Sequence, residues 1–129
     1  MTLPTRVLVV APSARLSSKL VASLRAAGYA PIVTSDFVAA KALLDTRPDC
    51  LITEVKLGAY NGLHLAIRAA DQRTPTIVIG DTDPILQAEA ERQNAAFLTT
   101  PLDPERVLTL TRELVTASRE KRQIGRAHV

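Results

Sequence analysis

Short apolar runs alternate along this chain with longer segments of helical period. "RVLVV" (6–10) is an unbroken apolar run after its first residue. It predicts a strand covered on both faces, because a half-exposed strand would alternate apolar and polar residues. Ser13 stands where an N-cap belongs, and Leu16, Leu20, Leu24 and Ala27 form one stripe before Gly28 stops the segment. "APIVT" (30–34) predicts a second strand. Ser35 or Asp36 caps a second helix through "FVAAKALLDT", which ends before Pro48. "CLITE" (50–54) predicts the third strand. Asn61-Gly62 opens a third helix with Leu63, Ala66, Ile67 and Ala70 toward the sheet and His64 outward. "TIVIG" (76–80) predicts the fourth strand. Asp83-Pro84 is a cap followed by proline at the first helical position. "AFLT" (96–99) predicts the fifth strand, and Asp103-Pro104-Glu105 starts a last helix from 104 to about 120.

Five strands alternating with five helices predict an α/β fold. The strands are parallel, joined by right-handed crossovers, with helices on both faces. The 129 residues suit one domain. The expected division is a body over 1–117 and a basic tail or linker over 118–129. In such sheets ligands meet the carboxyl ends of the strands. The residues of interest are therefore Ala11-Pro12, Ser35-Asp36, Glu54 to Asn61, Gly80 to Asp83, and Thr99 to Leu102. Glu54 stands out, because an acid closing an apolar strand is costly unless it has a partner.

Composition narrows the function classes. Hydrophobic residues make up 47% of the chain, enough for a core, yet no apolar run approaches the roughly 18 residues that span a bilayer. The start lacks the long apolar stretch of a secretion signal. The single cysteine, Cys50, cannot close an internal disulfide and is read as a small core residue. No His or second Cys stands at metal-ligand spacing. A cytoplasmic protein with no membrane partner and no cofactor is expected. The net charge of +3 lies entirely in the tail: residues 1–117 hold 12 Lys/Arg and 12 Asp/Glu, and the tail sets Arg119, Lys121, Arg122 and Arg126 against Glu120. Four cations without interleaved aromatics make a weak nucleic-acid signal, so none is expected for this domain alone.

The order and spacing of these pieces resemble the receiver domain of two-component response regulators, CheY-like and flavodoxin-like in fold. "RVLVV" followed by a helix with an Arg in its first turn, and "GYAPIVTSD", are similar to that family's opening. "RPDCLITEVKLGAYNGLHL" lines up without gaps with its phosphoacceptor segment. "TPTIVIG" and "AFLTTPLDPERVL" resemble its fourth strand, fifth strand and last helix. The resemblance covers about residues 6 to 116. It implies a (βα)₅ three-layer sandwich with strand order 2-1-3-4-5.

In that family two acids after the first strand and an Asp ending the third hold Mg²⁺, which demands hard oxygen ligands. The Asp takes a phosphoryl group, and a Thr/Ser and a Lys read it out, because phosphoryl transfer depends on positioning and on cations around the moving group. Carried over, the acidic pair falls on Ala11 and Pro12, the phosphoacceptor on Glu54, the Thr/Ser on Gly80 and the Lys on Thr100. Pro101 keeps the following proline, whose peptide bond is usually cis in the family. The framework matches and all five chemical positions differ. Glu is also one methylene longer than Asp, about 1.5 Å, and errors of about 1 Å can cost roughly 100-fold. The resemblance thus implies a degenerate pseudo-receiver. It is expected to be no enzyme and to act as a protein-interaction or dimerisation module independent of phosphorylation.

Glu54 has three readings. It could mimic a phosphorylated state, it could join Asp81 as a new metal ligand, or it could be a polar strand end satisfied by backbone N–H groups, Thr99, Thr100 or water. The third is preferred, since strand-end polar groups are commonly satisfied this way. Asp81 and Asp83 more simply cap the following helix. Lys56 could pair with Glu54 or be a solvated loop residue. Tyr60 could be a contact residue or pack locally. Phe97 stands at the family's aromatic in strand five and is read as edge packing. In the last helix Val107, Leu108, Leu110, Leu114 and Val115 form an apolar arc of roughly 160°, wider than the ~100° of one buried stripe. This makes Leu108, Leu110 and Val115 candidates for a homodimer or partner face, against a simply well-buried helix. Two other classes compete. One is a small-molecule or metal-binding module lined by Glu54, Asp81 and Thr100. The other is the N-terminal receiver of a larger, for example DNA-binding, regulator.

Overall fold

A computed structural model describes residues 3–127, with side chains through Arg122. The chain runs β1 (Arg6–Val10), α1 (Ala14–Ala26), β2 (Ala30–Thr34), α2 (Phe37–Leu44), β3 (Cys50–Glu54), β4 (Lys56–Leu57), β5 (Tyr60–Asn61), α3 (Gly62–Asp71), β6 (Thr76–Gly80), α4 (Pro84–Arg92), β7 (Ala96–Thr99) and α5 (Pro104–Ala127). Five strands form one parallel sheet in the order β2-β1-β3-β6-β7. This is the expected 2-1-3-4-5 order once β4 and β5 are set aside. Those two form a small antiparallel hairpin within what the sequence presents as a loop.

The central strands β1, β3 and β6 are buried on both faces, as their unbroken apolar runs require. The edge strand β2 is only half-buried and contains Pro31, whose missing N–H a ladder tolerates at an edge. Alternate residues divide the core. Val7, Val9, Ile52 and Ile77 meet α1 and α5, while Leu8, Val10 and Leu51 meet α2 and α3. Val78 packs with Leu63 and Ala66 of α3 and Ala90 of α4. Each fully buried aliphatic side chain contributes about 1.5–3 kcal/mol.

The helix starts follow their caps. The Ser13 hydroxyl accepts from the Leu16 N–H at 3.3 Å, Asp36 from Ala39 at 3.0 Å, Asn61 from Leu63 at 2.8 Å and Asp83 from Ile85 at 3.0 Å. Asp36, not Ser35, is therefore the cap of α2.

Two expectations change. In α3 the buried residues include Leu63, Leu65, Ala66 and Ala69, and Ile67 is 43% exposed, so the helix is turned from the expected face. His64 is exposed as expected. In α5, Leu110 and Val115 are core residues and Leu108 is half-buried against the same cluster. They do not form an exposed interface. The wide arc has a geometric cause: α5 packs against both the sheet and α1, and two partners need more than one stripe. Thr111 joins this buried face, its hydroxyl donating to the Val107 carbonyl at 2.8 Å.

α5 continues past residue 117 without a break to Ala127, and Arg119 donates to the Thr5 hydroxyl at 3.0 Å. The side chain of Arg126 lies outside the described residues. Among the described residues no helix is long and apolar enough to cross a membrane.

The burial of Leu110 predicts that Leu110→Ala lowers stability by about 2–4 kcal/mol in chemical denaturation, with no change in sedimentation. Unchanged stability with altered self-association would reverse this placement.

Candidate functional site

The carboxyl ends of β1, β3, β6 and β7 converge, and the five positions of interest lie there. Ala11 continues β1 into the core and bonds backbone-to-backbone with Thr34 at 3.0 Å. Pro12 is exposed. It borders a shallow hollow of about 420 Å³ with Asp36, Leu57 and Tyr60. Glu54 closes β3, half-buried. Its carboxylate accepts a hydrogen bond of 3.2 Å from the backbone N–H of Ser13, at the start of α1. The positive end of that helix dipole suits a carboxylate. Burial pushes the Glu54 carboxyl above its ordinary value, and the Ser13 N–H partly opposes this.

The backbone around Glu54 is tightly held. The Thr53 hydroxyl donates to the Glu54 carbonyl at 3.0 Å, and the Gly62 N–H donates to the Val55 carbonyl at 2.6 Å. A Cβ on Gly62 would overlap the Glu54 carbonyl oxygen. The glycine that opens α3 is therefore required by close approach to β3.

Gly80, at the end of β6, faces a filled space. A Cβ there would lie 3.0 Å from a Val55 methyl and 3.2 Å from the tip of the Phe97 ring. Phe97 packs with Val55, Leu63 and Val78. Val55 and Phe97 thus occupy the volume that a larger residue at position 80 would need. Phe97 is an inward packing residue of the α3–α4 core, beyond the edge packing expected of it.

Thr100 does not bond to Glu54. Its hydroxyl donates to the Asp81 carboxylate at 3.2 Å, joining the ends of β6 and β7. Asp81 is therefore not the cap of α4, a role Asp83 holds alone. The Thr100–Pro101 peptide bond is cis. Lys56 is exposed, and the two ion pairs among the described residues, Arg68–Asp45 and Arg92–Glu89, lie elsewhere. The Tyr60 ring stacks on Phe37 with centroids 4.6 Å apart, and His64 meets Phe37 edge-on at 6.4 Å. Tyr60 therefore packs on Phe37 of α2, with about half of its surface still exposed. Cys50 is fully buried, which pushes its thiol up to about 12. Among the described residues no three His, Cys, Asp or Glu side chains converge.

Chemically, this end of the sheet offers one carboxylate held by a backbone N–H and a separate Thr–Asp hydrogen bond. The sequence marks Glu54, Gly80 and Thr100 as the positions to examine. The Ser13 N–H is invisible to it, because the contact joins residues 41 apart. The Asn61-Gly62 pair, glycine at the first position of a helix, is the one local signal of the close approach at β3.

No protein-family model and no curated protein sequence matches this chain. Solved structures do match. The signal receiver domain of a Luxo repressor protein from Vibrio parahaemolyticus superposes with a TM-score of 0.86 at 17% identity, covering 95% of this chain and 98% of that one. NtrX from Brucella abortus gives 0.86 at 20% identity, covering 97% of this chain but 30% of its own. The beryllofluoride-activated NtrC4 receiver domain dimer gives 0.80 at 22% identity, covering 88% of this chain and 98% of that one. The structural neighbours are response-regulator receiver domains of CheY-like fold, and the fold expected from the sequence is the fold observed.

Two outcomes follow from this geometry. Gly80→Thr should lower stability by about 1–3 kcal/mol through overpacking, and Phe97→Ala in the same chain should cost less than its separate cost added to this one. Strict additivity in denaturant melts would place Phe97 away from residue 80. For Glu54, the folded state binds its proton more tightly than the unfolded chain. Stability therefore falls as pH rises from the ordinary value of 4.5 through the raised one. Glu54→Gln should be more stable than the parent at neutral pH, with the gap closing below pH 4.5. A constant gap across that range would contradict the assignment.

Proposed function

We propose that this chain is a receiver-like signalling module that works through protein contact and carries no phosphoryl group. It performs no chemistry of its own. The observation that carries this reading is the bond from the Ser13 N–H to Glu54. Where a receiver opposes its reactive carboxylate with metal-binding acids, this chain opposes it with a backbone donor between Pro12 and α1. Ala11 and Pro12 offer no carboxylate, Gly80 no hydroxyl and Thr100 no positive charge. A phosphoryl group at Glu54 would lack the metal and the lysine that stabilise its transfer. A Thr at position 80 would also press on Val55 and Phe97, its Cβ lying 3.0 and 3.2 Å from them.

Phosphate-free signalling leaves surfaces as the means of communication. The expected boundary at residue 117 falls inside α5, which runs on to Ala127. Contact with a second copy is one form this can take, as in the neighbour solved as a receiver dimer. Leu110 and Val115 are excluded from such a face by burial. A second reading is favoured by α5 itself: its 24 residues run beyond the core, and NtrX matches over only 30% of its own length. On that reading the chain is the receiver part of a larger regulator and α5 leads toward an output domain.

Incubation with a small-molecule phosphodonor and Mg²⁺ should leave the intact mass unchanged. A gain of one phosphoryl group, abolished by Glu54→Gln, would overturn the proposal.

A further inference from the structure

At the end of the sheet opposite Glu54, a half-open cleft of about 960 Å³ lies between the ends of α3 and α4 and the extension of α5. Pro75, Leu114 and Ala117 contribute an apolar floor, and Arg73, Lys121 and Arg122 supply its charges. None of the lining residues is acidic. Arg73, Lys121 and Arg122 are all exposed, and among the described residues none of them pairs with an acid. The body is neutral over residues 1–117, so the three cations concentrate positive potential at one groove.

We infer that this cleft docks an acidic segment of a partner protein, with an apolar side chain on the floor and carboxylates at the cationic rim. Two features favour a peptide over a phosphorylated small molecule or a nucleic acid. The lining contains no aromatic ring on which a base could stack. The apolar floor offers an anchor that a phosphate cannot use.

This inference rests on the reading of the chain as a protein-contact module and names the surface and the partner chemistry. The groove includes the wall made by the α5 extension, so any movement of that helix would change the site.

The test is fluorescence anisotropy of the full chain with a labelled peptide of alternating Glu and Leu. Saturable binding is expected at low salt, weakening as salt rises. Arg73→Glu with Lys121→Glu should weaken it about tenfold or more. Arg112→Glu, exposed on the same helix but outside the cleft, should leave it unchanged, and neither ATP nor duplex DNA should displace the peptide. Absent binding, equal loss in Arg112→Glu, or displacement by ATP or DNA would overturn the inference. Binding that ignores the cleft charges would remove the cleft while leaving a protein-contact module standing. The phosphodonor measurement tests that module separately.

Discussion

A carboxylate at the end of a buried strand needs an opposing partner, and the rest of this end of the sheet is arranged around that need. Burial raises the free energy of the Glu54 charge. The partner supplied is the Ser13 N–H at the start of α1. It is fixed by β1, which brings Ala11 into the core beside β3. Because the donor is a backbone group, it offsets part of that cost without a charged partner.

The surrounding positions behave consistently with this. Gly62 brings α3 against the Glu54 carbonyl, leaving little freedom for the backbone there. Val55 and Phe97 fill the space at Gly80, which therefore faces the hydrophobic cluster of α3 and α4. Thr100 and Asp81 bond to each other. Packing and local hydrogen bonds thus account for each of these positions.

Much of the fold was legible in the sequence for reasons of periodicity. Unbroken runs such as "RVLVV" and "TIVIG" can only be satisfied between two layers, and Ser13, Asp83 and Asn61 mark helix starts through their own side chains. What was not legible depended on contacts between distant segments. The arc of α5 was visible, but not that α1 and the sheet together consume it and bury Leu110 and Val115. The face of α3 was misjudged at Ile67, because Leu65 and Ala69 compete with it at helical spacing and only the neighbouring α2 decides between them. At the site, the identity of each changed position could be read directly. Their partners, the Ser13 N–H for Glu54 and Asp81 for Thr100, required the strands to be brought together.

The central claim is that the pocket around Glu54 no longer recognises a metal or a phosphoryl group. It is tested most directly by following the backbone amide resonances of Ser13, Glu54, Gly80 and Thr100 while Mg²⁺ and beryllofluoride, a phosphoryl mimic, are added. The account predicts that these resonances stay in place. Saturable shifts at Ser13 and Glu54, lost in Glu54→Gln, would contradict it.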